Sequence, residues 1–100
     1  MSIRPPDDDK LRAFLKGAIE DGDYTESFHS EHEHPDRNLS IDDLLHGLQQ
    51  NWEHFQEASY DAKRDEWKYY LKTTDIEGDV LHVVIAVSLR RRRFKVITKW

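Results

Sequence analysis

The sequence predicts one α+β domain, in which two N-terminal helices pack on one face of a mostly antiparallel sheet of three to four strands. Three observations predict this fold. The chain has 100 residues, which is the size of a single domain. Apolar residues recur at helical spacing before Asn51, and they alternate or form short runs after it. Residues 1–6 are expected to be a disordered tail.

The first predicted helix lies in the segment DDDKLRAFLKGAIEDGD. Its apolar positions are three or four residues apart and form one stripe: Leu11, Phe14, Leu15 and Ile19. Asp7 to Asp9 stand where an N-cap and acidic first-turn residues favour the helix dipole. Gly22 is expected to end the helix.

The second predicted helix begins after Ser40, with Asp43 three residues later. A hydroxyl at the N-cap and an acceptor three positions on can each bond the other residue's free backbone amide. The buried stripe of this helix is predicted at Ile41, Leu44, Leu45 and Leu48.

Three strands are predicted in the last third of the chain. They run from about Trp67 to Asp75, from Val80 to Leu89 and from Phe94 to Trp100, with the turn IEGD between the first two. Residues 52–60 fit either a further strand or a continuing helix, and a strand at the centre of this segment is the preferred interpretation.

Alternation along these strands separates two faces of the sheet. The large apolar residues, which include Phe94, Val96 and Trp100, are expected to pack against the helices. The other face collects basic, aromatic and small side chains, among them Lys68, Tyr70, Lys72, His82, Lys95 and Lys99. Such a face suits a phosphate backbone and a stacked base, although exposed strands of many proteins also carry Lys and Tyr.

Charge is distributed unevenly along the chain. The net charge is −5, but residues 1–60 carry 5 Lys and Arg against 14 Asp and Glu, whereas residues 61–100 carry 10 against 6. Net acidity disfavours non-specific nucleic-acid binding, yet the basic C-terminal part can still form one basic surface. The chain has no cysteine, no secretory signal and no apolar run of membrane-spanning length. We therefore expect a cytoplasmic protein with no membrane partner.

Three histidines, His29, His32 and His34, lie in the segment SFHSEHEHPDR. A structural zinc site needs two well-separated ligand pairs, and this spacing lacks the second pair. The sequence therefore predicts neither a metal nor another cofactor. For His29 itself, a structural hydrogen-bonding role and a proton-transfer role both stay open.

Four consecutive arginines, Arg90 to Arg93, fall in the predicted hairpin between the last two strands. Like charges in a tight turn repel one another. The run is therefore expected to face either the phosphates of a nucleic acid or an acidic partner segment. Solubility of the hairpin tip is the alternative explanation.

The order of these segments resembles the bacterial family numbered 4258 among the domains of unknown function, which is placed in the RelE/ParE-like toxin superfamily. The resemblance covers nearly the whole chain and rests on GDYTESFH, RNLSIDDLLHGL, WKYYLKTTDIEGDVLHVVIAVS and FKVITKW. Ser27 and His29 match a Ser-x-His motif, and Arg37 matches an arginine before the second helix. Two positions depart from the pattern. Glu33 stands where a second arginine is common, and Pro35 interrupts a segment that is usually helical.

The resemblance implies a toxin of a toxin–antitoxin system: a metal-independent endoribonuclease that acts on messenger RNA and is bound by a cognate antitoxin protein. Proton transfer and phosphate stabilisation would then fall to His29, Arg37, Lys68 and His82. RNA would contact Tyr70, Lys72, Arg90, Arg91, Arg92, Arg93, Lys95 and Lys99. The alternative is a non-catalytic protein-interaction module of the same fold, which the net acidity and the missing arginine favour. The oligomeric state is not predicted.

Overall fold

A computed structural model describes residues 5–26 and 40–100 of the protein. Two helices and five strands follow one another as α1 (Asp8–Asp21), β1 (Tyr24–Glu26), α2 (Ile41–Leu48), β2 (Glu53–Asp61), β3 (Glu66–Thr74), β4 (Val80–Ser88) and β5 (Arg93–Lys99). The predicted α+β class is confirmed, but the predicted number of strands is wrong. Neither helix in the described ranges has the length and apolar character that a bilayer crossing requires.

The strands form one mixed sheet in the order β1-β5-β4-β3-β2. Strands β2 to β5 pair with their neighbours in antiparallel fashion, and β1 adds a parallel edge beside β5. The strand preferred at residues 52–60 is present as β2. Strand β1 was not predicted, because three residues are too short to show a period and their partner lies far along the chain.

Both helix starts are capped by the residues that the sequence indicates. The Asp7 carboxylate accepts a hydrogen bond from the Lys10 amide at 2.9 Å. Ser40 and Asp43 form a reciprocal capping box, in which each side chain accepts from the other residue's amide. Gly22 ends α1 with a φ of 73°, a left-handed conformation that glycine adopts without strain.

One layer of apolar side chains lies between the helices and the sheet. From the helices it contains Leu11, Leu15, Ala18, Leu44 and Leu48, and from the strands it contains Trp67, Tyr69, Leu71, Val83, Ile85, Val87, Phe94 and Val96. Alternate residues of each strand point to the opposite side. We call the side that carries this layer the helix face and the opposite side the far face.

A bulge in β5 shifts the alternation of its last residues. Ile85 of β4 pairs with Val96, but the adjacent Val84 pairs with Thr98. The register therefore skips Ile97, which is the extra residue of the bulge. One extra residue moves every later side chain of a strand to the other face.

The bulge overturns the predicted faces at the end of β5. Lys99 was predicted on the basic face, but it lies opposite Val83 on the helix face and is only 6% exposed. Its ammonium contacts both carboxylate oxygens of Glu26, at 2.9 and 3.0 Å. Trp100 was predicted on the helix side, but it lies on the far face beside His82. Lys99 is thus a structural ion-pair residue in this fold and not part of the far face.

Candidate nucleic-acid interface

Four ring side chains meet at one end of the far face. They come from β2, β3, β4 and the residue after β5, and we call them the aromatic cluster: Phe55, Tyr70, His82 and Trp100. His82 and Trp100 exchange both backbone hydrogen bonds, at 2.8 and 2.9 Å, so their side chains stand side by side on one face. Their rings stack with centroids 5.1 Å apart and planes inclined by 10°.

Phe55 completes the cluster by presenting its edge to its neighbours. Its ring centroid lies 5.3 Å from that of His82, 5.8 Å from that of Trp100 and 6.0 Å from that of Tyr70. All three contacts are close to perpendicular, an arrangement that aromatic rings favour. Phe55 remains 40% exposed, so part of a large apolar ring is available to a ligand.

Two register shifts interrupt β2, and Phe55 lies at the first of them. His54 pairs with Leu71, but the next paired residue, Gln56, is opposite Tyr70. Leu71 belongs to the helix face and Tyr70 to the far face. Because His54 faces the helices, the next residue, Phe55, points to the far face, and its ring joins the cluster. The β5 bulge adds Trp100 to the same cluster.

Three lysines lie on the far face, one beside the aromatic cluster and two nearer the opposite end of the sheet. Lys72 pairs with His82 beside the cluster. Lys68 and Lys95 both pair with Ala86, one on each side of it. Ala86 itself is only 2% exposed, so a ligand would contact the side chains around it rather than the sheet backbone. Acidic side chains on this face lie toward the β2 edge, at Glu53, Asp61 and Glu66.

The two hairpin tips enclose a cleft at the end of the far face opposite the aromatic cluster. Residues 62–65 join β2 to β3, and residues 89–92 join β4 to β5. The cleft has a volume of about 510 Å³, and we call it the tip cleft. Six cationic side chains line it: Lys63, Arg64, Arg90, Arg91, Arg93 and Lys95. Three arginines of the predicted run therefore meet two further cations from the other hairpin.

Arg92 does not belong to the tip cleft. It lines a separate groove against α1, together with Leu89 and the carboxylate-bearing Asp21 and Asp23. Its backbone φ is 56°, so the left-handed turn at this residue directs it away from the neighbouring arginines. The arginine run, which was expected to contact RNA or an acidic partner as one unit, is divided between two surfaces.

The predicted catalytic residues are not brought together within the described ranges. Lys68 is opposite Ala86, which stands four residues from His82 along β4, a separation of about 13 Å. The His82 ring makes no side-chain hydrogen bond to residues 5–26 or 40–100. His29 and Arg37 lie outside the described residues, as do His32, His34 and residues 1–4 of the predicted tail. Their predicted roles therefore stay predictions.

Four contributors to this surface were not predicted. Phe55 was not assigned to a face because residues 52–60 fitted either a strand or a helix. Trp100 was assigned to the wrong face because simple alternation does not reveal the β5 bulge. Lys63 and Arg64 escaped because only the fold brings their hairpin beside Arg90 and Arg91. The one signal in the sequence was Thr98, a polar residue among the positions assigned to the apolar face.

Comparison of the chain with models of protein families, with curated proteins and with solved structures finds no match.

Proposed function

We propose that the protein binds single-stranded RNA on the far face of its sheet. The observation that carries this proposal is the aromatic cluster beside the lysines. Unpaired bases stack on aromatic side chains, and a sheet that presents such side chains is a recurring RNA-binding surface. Each stacked base contributes about 1–3 kcal/mol and does so with little sequence preference.

The charges on the far face support a strand rather than an isolated base. Lys72 stands beside the cluster, and Lys68 and Lys95 continue from it on either side of Ala86. Phosphates that follow a stacked base can contact these lysines in turn. Glu53 stands opposite Lys72, and Glu66 begins β3, so the lysines without an acidic partner in the register, Lys68 and Lys95, form the attractive surface on either side of β4.

Replacement of Trp100 tests this proposal. Trp100→Ala removes one stacking surface and should weaken binding of a fluorescein-labelled single-stranded RNA roughly five- to 100-fold, as measured by fluorescence anisotropy. Trp100→Phe keeps a ring and should retain most of the affinity. Both variants must keep the wild-type circular dichroism and melting temperature. Wild-type protein that binds no RNA at low salt would refute the proposal.

We further propose that the bound RNA is cleaved without a metal, as in toxins of the RelE/ParE-like superfamily, and that a cognate antitoxin protein restrains the activity. The motif order in the sequence supports this proposal, together with the position of Lys68. Its side chain lies at the centre of the far face, next to the hydroxyls of Tyr70 and Ser59, which are 3.4 Å apart. A cation there can stabilise the charge that develops on a phosphate when the adjacent 2′-hydroxyl attacks it.

Cleavage is tested separately from binding. Induced expression in a bacterial host should arrest growth and shorten messenger-RNA lifetimes, and the purified protein should cut RNA in the presence of EDTA. His29→Ala or His82→Ala should lower the cleavage rate by roughly 10² to 10⁴ if that histidine moves a proton. Binding with no cleavage in either assay would refute the ribonuclease proposal and leave RNA binding as the function.

A further inference from the structure

The tip cleft gathers more positive than negative charge. Six cations line it, against the two carboxylates of Asp65 and Glu66, although the whole chain has a net charge of −5. Asp65 already accepts a hydrogen bond from the Tyr60 hydroxyl at 2.7 Å, and this bond raises the pKa of Tyr60. In the described part of the chain, none of the six cations forms an ion pair with a carboxylate.

The cationic side chains of the cleft repel one another, and a bound anion would reduce this repulsion. Two like charges about 4 Å apart repel by about 1 kcal/mol even in bulk water, and by more beside protein. Arginine offers a planar fork of donors that matches phosphate oxygens. Arg90, Arg91 and Arg93 provide three such forks around one volume. The chemistry of the cleft therefore fits a phosphate group.

The position of the cleft indicates which phosphate it takes. Ser88 and Lys95 belong to the far face and also line the cleft, so the cleft continues a strip of the far face that begins at the aromatic cluster. His82 and Ser88 are six positions apart in β4, a distance of about 20 Å along the strand. Val84 and Ala86, which lie between them on the far face, are only 8% and 2% exposed, because neighbouring side chains cover them. A single strand can run along β4 by contacting those neighbours, which include Tyr70, Lys68 and Lys95.

We infer that the tip cleft holds a phosphate of the same RNA strand whose base stacks on the aromatic cluster, so that the protein selects single strands of about four nucleotides or more. This inference rests on the proposed RNA binding and adds a length requirement to it. A dinucleotide reaches only one end of the strip. A tetranucleotide reaches both ends and gains the charge-assisted contacts of the cleft.

The arginine run supplies a matched pair of variants. Arg91→Gln and Arg92→Gln each remove one positive charge from the same turn and keep a side chain of similar length. Arg91 lines the tip cleft, whereas Arg92 lines the groove against α1. Both variants lose the same net charge. A difference in their RNA affinity is therefore due to contacts in the tip cleft and not to the net charge of the protein.

The test measures binding of fluorescein-labelled oligouridylates of about two to eight nucleotides by anisotropy. For wild-type protein, affinity should rise steeply up to about four nucleotides and then level off. Arg91→Gln should weaken binding of the longer strands roughly tenfold, leave the dinucleotide unchanged and lower the salt slope by nearly one contact. Arg92→Gln should retain the wild-type length dependence. Inorganic phosphate should compete for the long strands and not for the dinucleotide.

Different results would overturn different statements. If no oligonucleotide binds at any length, the proposed RNA binding fails, and this inference fails with it. If short and long strands bind equally well, or Arg91→Gln and Arg92→Gln behave alike, RNA binding stands and the cleft has no part in it. A poly-glutamate peptide that binds more tightly than the oligonucleotides and is released by Arg91→Gln would assign the cleft to an acidic protein segment and overturn the inference.

Discussion

The indole of Trp100 stacks on the imidazole of His82, with ring centroids 5.1 Å apart and planes inclined by 10°. The stack exists because the β5 bulge moves Trp100 to the far face and the β4 register brings His82 beside it. Backbone hydrogen bonds hold the two residues side by side, and their rings already stack on each other, so they lose little freedom when a base binds. This preorganisation favours binding.

The two histidines in the sheet should differ in their effect on RNA. His82 belongs to the aromatic cluster, whereas His54 lies on the helix face with its Nε2 atom 2.8 Å from the Asp8 carboxylate. His82→Ala should weaken RNA binding roughly fivefold or more, because it removes a ring from the stack. His54→Ala should leave RNA affinity unchanged. Anisotropy titrations of both variants check this, and equal effects would contradict the face assignment.

The ion pair between Lys99 and Glu26 should stabilise the fold without contributing to RNA binding. Both side chains are largely buried. Glu26→Gln leaves the Lys99 ammonium buried without a counter-charge and should lower the free energy of unfolding by roughly 3 kcal/mol. Glu26→Gln combined with Lys99→Met should recover much of that loss, because no unpaired charge remains. Urea denaturation of the single and double variants measures the coupling, and RNA affinity of the double variant should equal that of the wild type.

Replacing each of the two helical glycines, Gly17 and Gly47, by alanine should change the stability of the protein in opposite directions. A Cβ atom at Gly47 would lie 2.7 Å from the Thr73 methyl group and 3.0 Å from the Thr74 carbonyl oxygen, whereas a Cβ at Gly17 would meet nothing within 4 Å. Gly47→Ala must move α2 away from β3 and should destabilise the protein by about 1–3 kcal/mol. Gly17→Ala should stabilise it by about 0.5–1 kcal/mol, since alanine restricts the unfolded chain. Thermal melting distinguishes the two outcomes.

Asp43 should make part of the stability depend on acid pH. Its carboxylate accepts from the amides of Ser40 and Ile76, and these hydrogen bonds hold its pKa below the usual 3.8. The ionised carboxylate is the form that these hydrogen bonds stabilise. Its contribution to the free energy of unfolding is therefore complete at neutral pH and disappears as the pH falls below 3.8. Asp43→Asn should lower the free energy of unfolding by up to about 1 kcal/mol at pH 7, because a neutral amide oxygen accepts these hydrogen bonds more weakly than a carboxylate does.

The difference in free energy of unfolding between wild type and Asp43→Asn, measured by urea titration, should decrease toward zero at acid pH. Asp42→Asn is the control, because the Asp42 side chain forms no hydrogen bond with the described residues. A gap between wild type and Asp43→Asn that stays constant from neutral to acid pH would contradict the assigned role of the carboxylate.

Tyr69 and Tyr60 form a further matched pair. The Tyr69 hydroxyl is buried with no hydrogen-bond partner in residues 5–26 and 40–100, and burial raises the pKa of Tyr69. Tyr69→Phe removes an unsatisfied polar group and should raise the free energy of unfolding by up to about 1 kcal/mol. Tyr60→Phe removes the hydrogen bond to Asp65 and should lower it. Chemical denaturation of both variants gives the comparison.

Local patterns in the sequence were sufficient to predict the helices and the middle strands of the sheet. Ser40 and Asp43 predict a capped start because their contacts involve only neighbouring residues. The apolar run of β4 predicts a strand because both of its faces are largely covered. Features that depend on residues close together in the chain were therefore predictable.

The candidate interface depends on contacts between distant segments, and these were only partly predictable. Tyr70, His82, Lys68 and Lys95 were assigned to the far face because simple alternation holds where β3, β4 and the start of β5 pair without a bulge. Lys99 was assigned wrongly because Ile97, a β-branched residue well suited to a strand, gives no local sign of a bulge.

Strand β5 comes last in the sequence, yet it lies inside the sheet between β4 and β1. Strands β2, β3 and β4 are joined by short connections. The pairing of β1 with β5, by contrast, brings together residues as far apart in the chain as Tyr24 and Phe94. Closing so long a loop has a larger entropic cost and slows folding. We therefore expect the β2–β3–β4 meander to form first and β1 to dock last. Until β1 docks, the outer edge of β5 is free to pair with another chain, so aggregation during refolding should rise with protein concentration.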